Sequence, residues 1–191
     1  MINKKESLQE LNWKSGLATA ATAAATLIGS PKVSSAAESP GHVQQVKYPY
    51  TIEDIIAATI VDEAGGEKDY ERGMQAVLNV ILKRSKGDIR GAAKECLRPK
   101  QFSGWNAVKI TDINSVKSFI DSKKKHTRYS LALKLIESAK NGTLKDITGG
   151  ADHFLNIQLT KKQSSTNSLP KWFDKRKVTV SIGNHTFLKL S

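Results

Sequence analysis

The acidic residue best placed to do chemistry is Glu63. It closes the stretch Thr51 to Glu67, in which Ile52, Ile55, Ile56, Thr59 and Ile60 recur at helical spacing and form one apolar stripe. Glu63 is the next position on that stripe. Asp62 lies about 100° round the axis at ~3.6 residues per turn and is expected to face away. Thr51 supplies an N-cap, and Asp54 three residues later completes a short capping box. Ala64-Gly65-Gly66 then removes side-chain bulk and allows a sharp turn. A carboxyl at the end of a buried stripe is partly desolvated, which favours its protonated form. A protonated Glu beside an open backbone can donate a proton to an oxygen leaving group. The plainer alternative is a solvated residue at a helix end.

A second group of candidates surrounds it. Glu67 is either a second working carboxylate or a first-turn residue favoured by the dipole of the next helix. The loop Arg98 to Asn106 carries Gln101, Phe102, Ser103 and Trp105, and Trp172 stands in a later polar region. Loop aromatics present flat apolar faces or pin the loop to the core; Gln101, Ser103 and Asn156 can hydrogen-bond hydroxyls or acetamides. His153 is read as lining a cleft or as structural, and His185, beside a turn, as structural. No His-Glu-x-x-His spacing occurs, so neither metal catalysis nor any cofactor is expected.

Elements that would hold these residues emerge from the pattern. Asp69 can cap a second helix with Met74, Val77, Leu78, Ile81 and Leu82 buried, basic Lys83, Arg84 and Lys86 at its end, and Gly87 as its stop. A shorter helix spans 88–97, and two more span 113–122 and 127–140, the last with Ala132, Leu135, Ile136 and Ala139 buried and Asn141-Gly142 as its cap. Residues 151–158 then read as a strand and 161–170 as a polar loop. Val178 to Ile182 and His185 to Leu188 flank Gly183-Asn184, a hairpin signal. The fold class is α+β, a helical lobe followed by a small antiparallel β lobe, with a cleft between them as the place for a ligand.

The chain of 191 residues suits one domain plus an extension. Its net charge is +12; residues 1–46 hold four lysines against three glutamates, so eleven of the twelve belong to residues 47–191. Such a field draws a domain to a polyanion. Only Lys123-Lys124-Lys125 is a run, and no helix-turn-helix, zinc-finger or aromatic RNA-binding pattern is found, so nucleic acid is not the expected partner. Cys96 is alone, which excludes an internal disulfide and a Cys-rich metal site, and it reads as small helix filler. Residues 1–37 have the form of a secretory signal: a lysine-bearing start, an uncharged small-residue run, and Ser35-Ala36-Ala37 before Glu38. The alternatives are a weak, transient membrane anchor through residues 15–29 and a plain Ala-rich helix. Residues 38–50 form a linker, and 51–191 the functional domain.

Five stretches in register resemble the SleB/CwlJ family of cell-wall hydrolases, to which spore-cortex lytic enzymes and many phage lysins belong. They are Glu63-Ala64-Gly65-Gly66-Glu67, Met74 to Arg84, Gln101-Phe102-Ser103-Gly104-Trp105, Gly150 to Asn156 with Trp172 beyond it, and Ile182 to Phe187. Together they cover roughly residues 52–190. The resemblance implies a lysozyme-like α+β domain that cleaves peptidoglycan glycan strands, as a lytic transglycosylase or muramidase, with Glu63 catalytic. It also implies export to the periplasm or cell wall, or a phage-encoded enzyme released at lysis or carried in the virion. Anionic wall polymers are further expected partners. Two departures stand out: Lys83 where the family usually has Asn, and Leu188 where it usually has Tyr. The alternatives from other classes are a non-catalytic peptidoglycan-binding module and a basic nucleic-acid-binding protein.

Overall fold

The computed structural model describes residues 48–191. The signal-like segment 1–37 and most of the 38–50 linker lie outside the described residues. Six α-helices and a three-stranded antiparallel sheet make up the described part: α1 (Ile52–Ala64), α2 (Tyr70–Arg84), α3 (Ile89–Cys96), α4 (Ile113–Lys124), α5 (Tyr129–Lys140), β1 (His153–Leu155), α6 (Ile157–Gln163), β2 (Val178–Ile182) and β3 (His185–Leu188). The fold is α+β, as the sequence pattern indicates.

α1 begins where expected. The Thr51 side chain accepts from Asp54 N–H at 3.1 Å, and the Asp54 carboxylate accepts from Thr51 N–H at 2.9 Å, a complete capping box. The helix is buried on nearly every side rather than along one stripe: Ala57, Ala58 and Val61 are as enclosed as Ile56 and Ile60. It is the central helix, packed by α2, α3, α4 and α5. The small Ala side chains let those neighbours approach from the flanks. Trimming Ile60 to Ala would cost about 3 kcal/mol through lost burial and a cavity.

α2 carries the predicted buried face, and its end is made by Gly87 at φ 81°, whose N–H donates to the Leu82 carbonyl at 2.8 Å. Asp69 occupies the N-cap position but makes no capping bond; its carboxylate pairs with Arg72 instead. α3 is capped by Asp88, which accepts from Arg90 and Gly91 N–H.

Residues 151–158 do not form one strand. Only His153–Leu155 pairs, with β3, because Asn156 caps a new helix: its Oδ1 accepts from Leu159 N–H at 2.9 Å. That helix, α6, extends into the region read as a polar loop. The hairpin of β2 and β3 forms at Gly183-Asn184 as expected, and β3 is the central strand in the order β1-β3-β2. Phe187, Ile182 and Ala151 pack against Ala76 and Val80 of α2, fixing the sheet to the helical part.

Candidate active site

Glu63 lies in the last turn of α1, facing the 3₁₀ turn Ser103–Trp105. Its Oε1 accepts from the Ser103 N–H at 3.1 Å and from the Ser103 hydroxyl at 3.4 Å, while no described residue bonds Oε2. By exposed area Glu63 is only half-buried, yet the atoms around its carboxyl are crowded enough to dominate its ionisation. Burial pushes its pKa up to about 7, and the nearby Asp62 charge adds to the rise, against the two Ser103 hydrogen bonds. A carboxyl poised there can give and take a proton near neutrality.

The turn approaches this closely because residue 104 is glycine. A Cβ at Gly104 would overlap the Asp62 carboxylate and crowd Phe119. Asp62 therefore does not face away from the site. It lies against the same turn and pairs with Lys123 of α4 at 2.5 Å. The ~100° that separates it from Glu63 points it at the other side of one shared loop, not at solvent. Nor do the glycines after Glu63 use a left-handed turn. Gly65 continues the right-handed conformation with its N–H on the Val61 carbonyl, and Glu67 N–H closes the bend on Ala64. A Cβ on Gly65 would come within 2.6 Å of the Val61 carbonyl oxygen, whereas one on Gly66 would meet nothing within 4 Å, so only Gly65 is required by close contact.

The loop aromatics point inward. Phe102 is 2% and Trp105 5% exposed. Trp105 Nε1 donates to Thr59 Oγ1 at 2.9 Å and its ring lies 4.3 Å from that of Phe119; Phe102 packs on Phe154. In this structure both rings pin the Ser103 turn to the core instead of offering an open face. Trp172 is 41% exposed, and its ring lies 5.3 Å from the His153 ring, so the structure brings these two together at the surface. His153 Nδ1 is held 2.8 Å from Asp152 Oδ1.

Gln101 and Asn156 are partly committed. Gln101 Oε1 accepts from Arg84 at 3.0 Å, and Asn156 Oδ1 caps α6. Arg84 is the organiser that sequence reasoning missed. Half-hidden at the end of α2, it donates to the Asp152 carbonyl at 2.5 Å, to Glu95 at 3.3 Å and to Gln101. Burial lowers its pKa, opposed by the Glu95 charge. One side chain thus ties α2, α3, the Ser103 loop and β1 together. The available cue was Glu95, an acid among Ala92, Ala93 and Cys96 on the buried face of α3. Cys96 is itself buried there, its thiol pushed up to about 12 by burial.

Glu67 and His185 form the other unforeseen contact. Their side chains are 8% and 7% exposed, with His185 Nδ1 2.9 Å from Glu67 Oε1. The contact does not meet hydrogen-bond geometry, and among the described residues Nδ1 has no hydrogen-bond partner. The separation decides the matter: two buried polar atoms so close repel unless one proton lies between them. Burial acts on each toward neutrality, raising the Glu67 carboxyl and lowering the imidazole to about 4. Asn184 N–H also approaches Glu67 Oε2 at 3.4 Å. Glu67 is thereby fastened under the hairpin. Among the described residues no three His, Cys, Asp or Glu side chains gather as a metal-ligand set.

The fold and site define an α+β domain with one poised carboxyl at the end of its central helix. The sequence model of the cell wall hydrolase family matches residues 68–188, and the chain belongs to that family. The match begins just after the Glu63 turn and takes in the Ser103 loop, α6 and the hairpin. No curated protein and no solved structure matches the chain. The family makes peptidoglycan the substrate and the cell wall the place of action. Among the described residues no helix is long and apolar enough to cross a membrane.

Proposed function

We propose that this protein cleaves the glycan strand of peptidoglycan, with Glu63 as the single acid and base. Protonated Glu63 gives its proton to the glycosidic oxygen as the bond to the sugar's anomeric carbon breaks. The resulting carboxylate then takes the proton of that sugar's own 6-hydroxyl, whose oxygen closes on the anomeric carbon. The product is a 1,6-anhydro sugar and no water is consumed; the muramidase variant of the same chemistry takes the proton from water instead. The observation that carries the reading is the Glu63 carboxyl, crowded to a pKa of about 7 while Ser103 N–H stands ready to stabilise its ionised form. The state of the other two carboxylates favours the one-carboxyl route. Asp62 is paired with Lys123 and Glu67 with His185, which leaves neither free as a nucleophile.

Glu63→Gln removes the proton and keeps the shape. It should abolish release of soluble fragments from purified peptidoglycan, and mass spectrometry of the wild-type digest should find anhydro ends. Digestion by the Gln variant at more than a few per cent of the wild-type rate would remove Glu63 from the role, and new reducing ends would replace transglycosylation by hydrolysis. For a wall substrate outside the cytoplasmic membrane, residues 1–37 fit an export role as a cleaved signal or a weak anchor. A phage-encoded enzyme that uses this route is consistent with the same features.

A further inference from the structure

A groove of about 750 Å³ runs between α6 and the β2–β3 hairpin, lined among others by Gln158, Leu159, Lys162, Ser181, Asn184 and His185. We propose that this groove is a subsite for the stem peptide that branches from the glycan, with Lys162 receiving one of its carboxylates. The proposal rests on the reading of the protein as a peptidoglycan-cleaving enzyme and adds the part of the substrate that is read beside the cleavage point.

Three observations carry it. The first is placement. His185, at the base of the groove, is fixed by Glu67, and Glu67 comes four residues of turning chain after Glu63. At 3.8 Å per residue the two backbones lie less than about 15 Å apart. A branch leaving the glycan at the cleavage point can reach that far. The second is the chemistry of the walls. The Gln158 and Asn184 amides line the groove and make no side-chain hydrogen bond with any described residue, so they are available to peptide N–H and C=O groups. Leu159, 49% exposed, gives an apolar surface suited to the methyl groups of short stem residues. The third is charge. Residues 157–191 hold seven Lys and Arg against one acid, Asp174, which is already paired with Arg176. Of these seven, Lys162 lines the groove itself, and the other six add to the positive field of the segment that builds it. A carboxylate-bearing branch in the groove would meet Lys162 directly, which a neutral glycan would not use.

The test separates binding from cleavage. In the full-length Glu63→Gln background, calorimetry would compare a soluble disaccharide-peptide, the same disaccharide without its peptide, and the free peptide. The peptide-bearing ligand should bind about tenfold more tightly than the bare disaccharide. Lys162→Glu should erase about five- to tenfold of that difference and leave the bare disaccharide unaffected, since it turns one attractive solvent-facing charge pair into a repulsive one. Asn184→Ala, which adds no charge, should weaken the peptide-bearing ligand in the same selective way. Equal affinity for the two disaccharides would overturn the proposal, as would Lys162→Glu weakening only a phosphodiester wall polymer. Thermal unfolding of each variant shows whether it is folded. Loss of the Glu63 mechanism would appear in cleavage assays alone and would leave this binding comparison standing.

Discussion

Glu63→Gln should stabilise the protein at alkaline pH while it destroys activity. The carboxyl's folded-state pKa of about 7 stands above its ordinary 4.5. Below pH 4.5 the group is protonated in both folded and unfolded chains and costs nothing. As pH rises past 4.5 the unfolded chain ionises first, and the native state is penalised increasingly until pH 7, beyond which the cost is constant. At about 1.36 kcal/mol per pH unit the gap amounts to about 3 kcal/mol at most. Glu63 is only partly buried by area, and discounting for solvent screening roughly halves the figure to about 1.5 kcal/mol. Gln cannot ionise and retains an oxygen for Ser103 N–H, so it escapes the penalty. For a domain of this size the gain corresponds to a Tm about 5 °C higher at pH 8. At pH 4 the two proteins should melt together. Circular dichroism melts of wild type and variant at both pH values are the assay. An equal Tm difference at pH 4 and pH 8, or a less stable variant at pH 8, would refute the claim that burial holds this carboxyl protonated. On the proposed mechanism the same proton serves catalysis, so kcat/KM should fall on the alkaline side with a midpoint near pH 7.

Three further outcomes rest on the geometry, the charge and the N-terminal segment. Gly183→Ala should destabilise the fold by about 2–3 kcal/mol, because residue 183 has φ 57° and a Cβ there would overlap the Glu67 carboxylate; chemical unfolding measures it, and an unchanged midpoint would show that Glu67 is not seated there. Activity on whole walls should fall with added salt, screened over about 8 Å at physiological ionic strength, while turnover of a short neutral chitooligomer should change little; parallel salt curves would contradict capture by charge. Deleting residues 2–37 should leave purified activity intact and stop lysis from within the producing cell; unaided lysis by the truncated chain would rule out the export role.

What the sequence could reveal about this molecule depended on the range of the interaction involved. Thr51 and Asp54 announce α1 because a capping box closes within four residues, and Gly183-Asn184 announces the hairpin because a two-residue turn is local. The place of Glu63 in the last turn of α1 was legible for the same reason: helical periodicity carries a stripe forward to its last position. Asn156 is the instructive failure of local reading. Its neighbours alternate like a strand, but a cap bond to Leu159 starts a helix, and a cap outweighs weak strand propensity over so short a run. Burial of Phe102 and Trp105 could not be read, because what covers them comes from Phe154 and Phe119, far along the chain. Arg84 and Glu67 were hidden for the same reason. Each looks like an ordinary helix-end charge until residues 68 and 118 positions later fold against it.

Those two hidden contacts explain how a partly exposed residue can keep a carboxyl of raised pKa. Glu63 sits between the Ser103 loop and the Gly65-Gly66 bend, neither of which is regular structure. The loop is fixed by Arg84 through Gln101 and by Trp105 through Thr59, and the bend by Glu67 through His185. Trp105, Glu67 and His185 are enclosed and Arg84 is mostly so, although the Arg84–Gln101 bond itself lies at an exposed position, so the wall around Glu63 resists opening to water. Loosening either anchor should therefore lower the Glu63 pKa before it unfolds the domain, and the alkaline limb of the activity profile would shift toward acid pH.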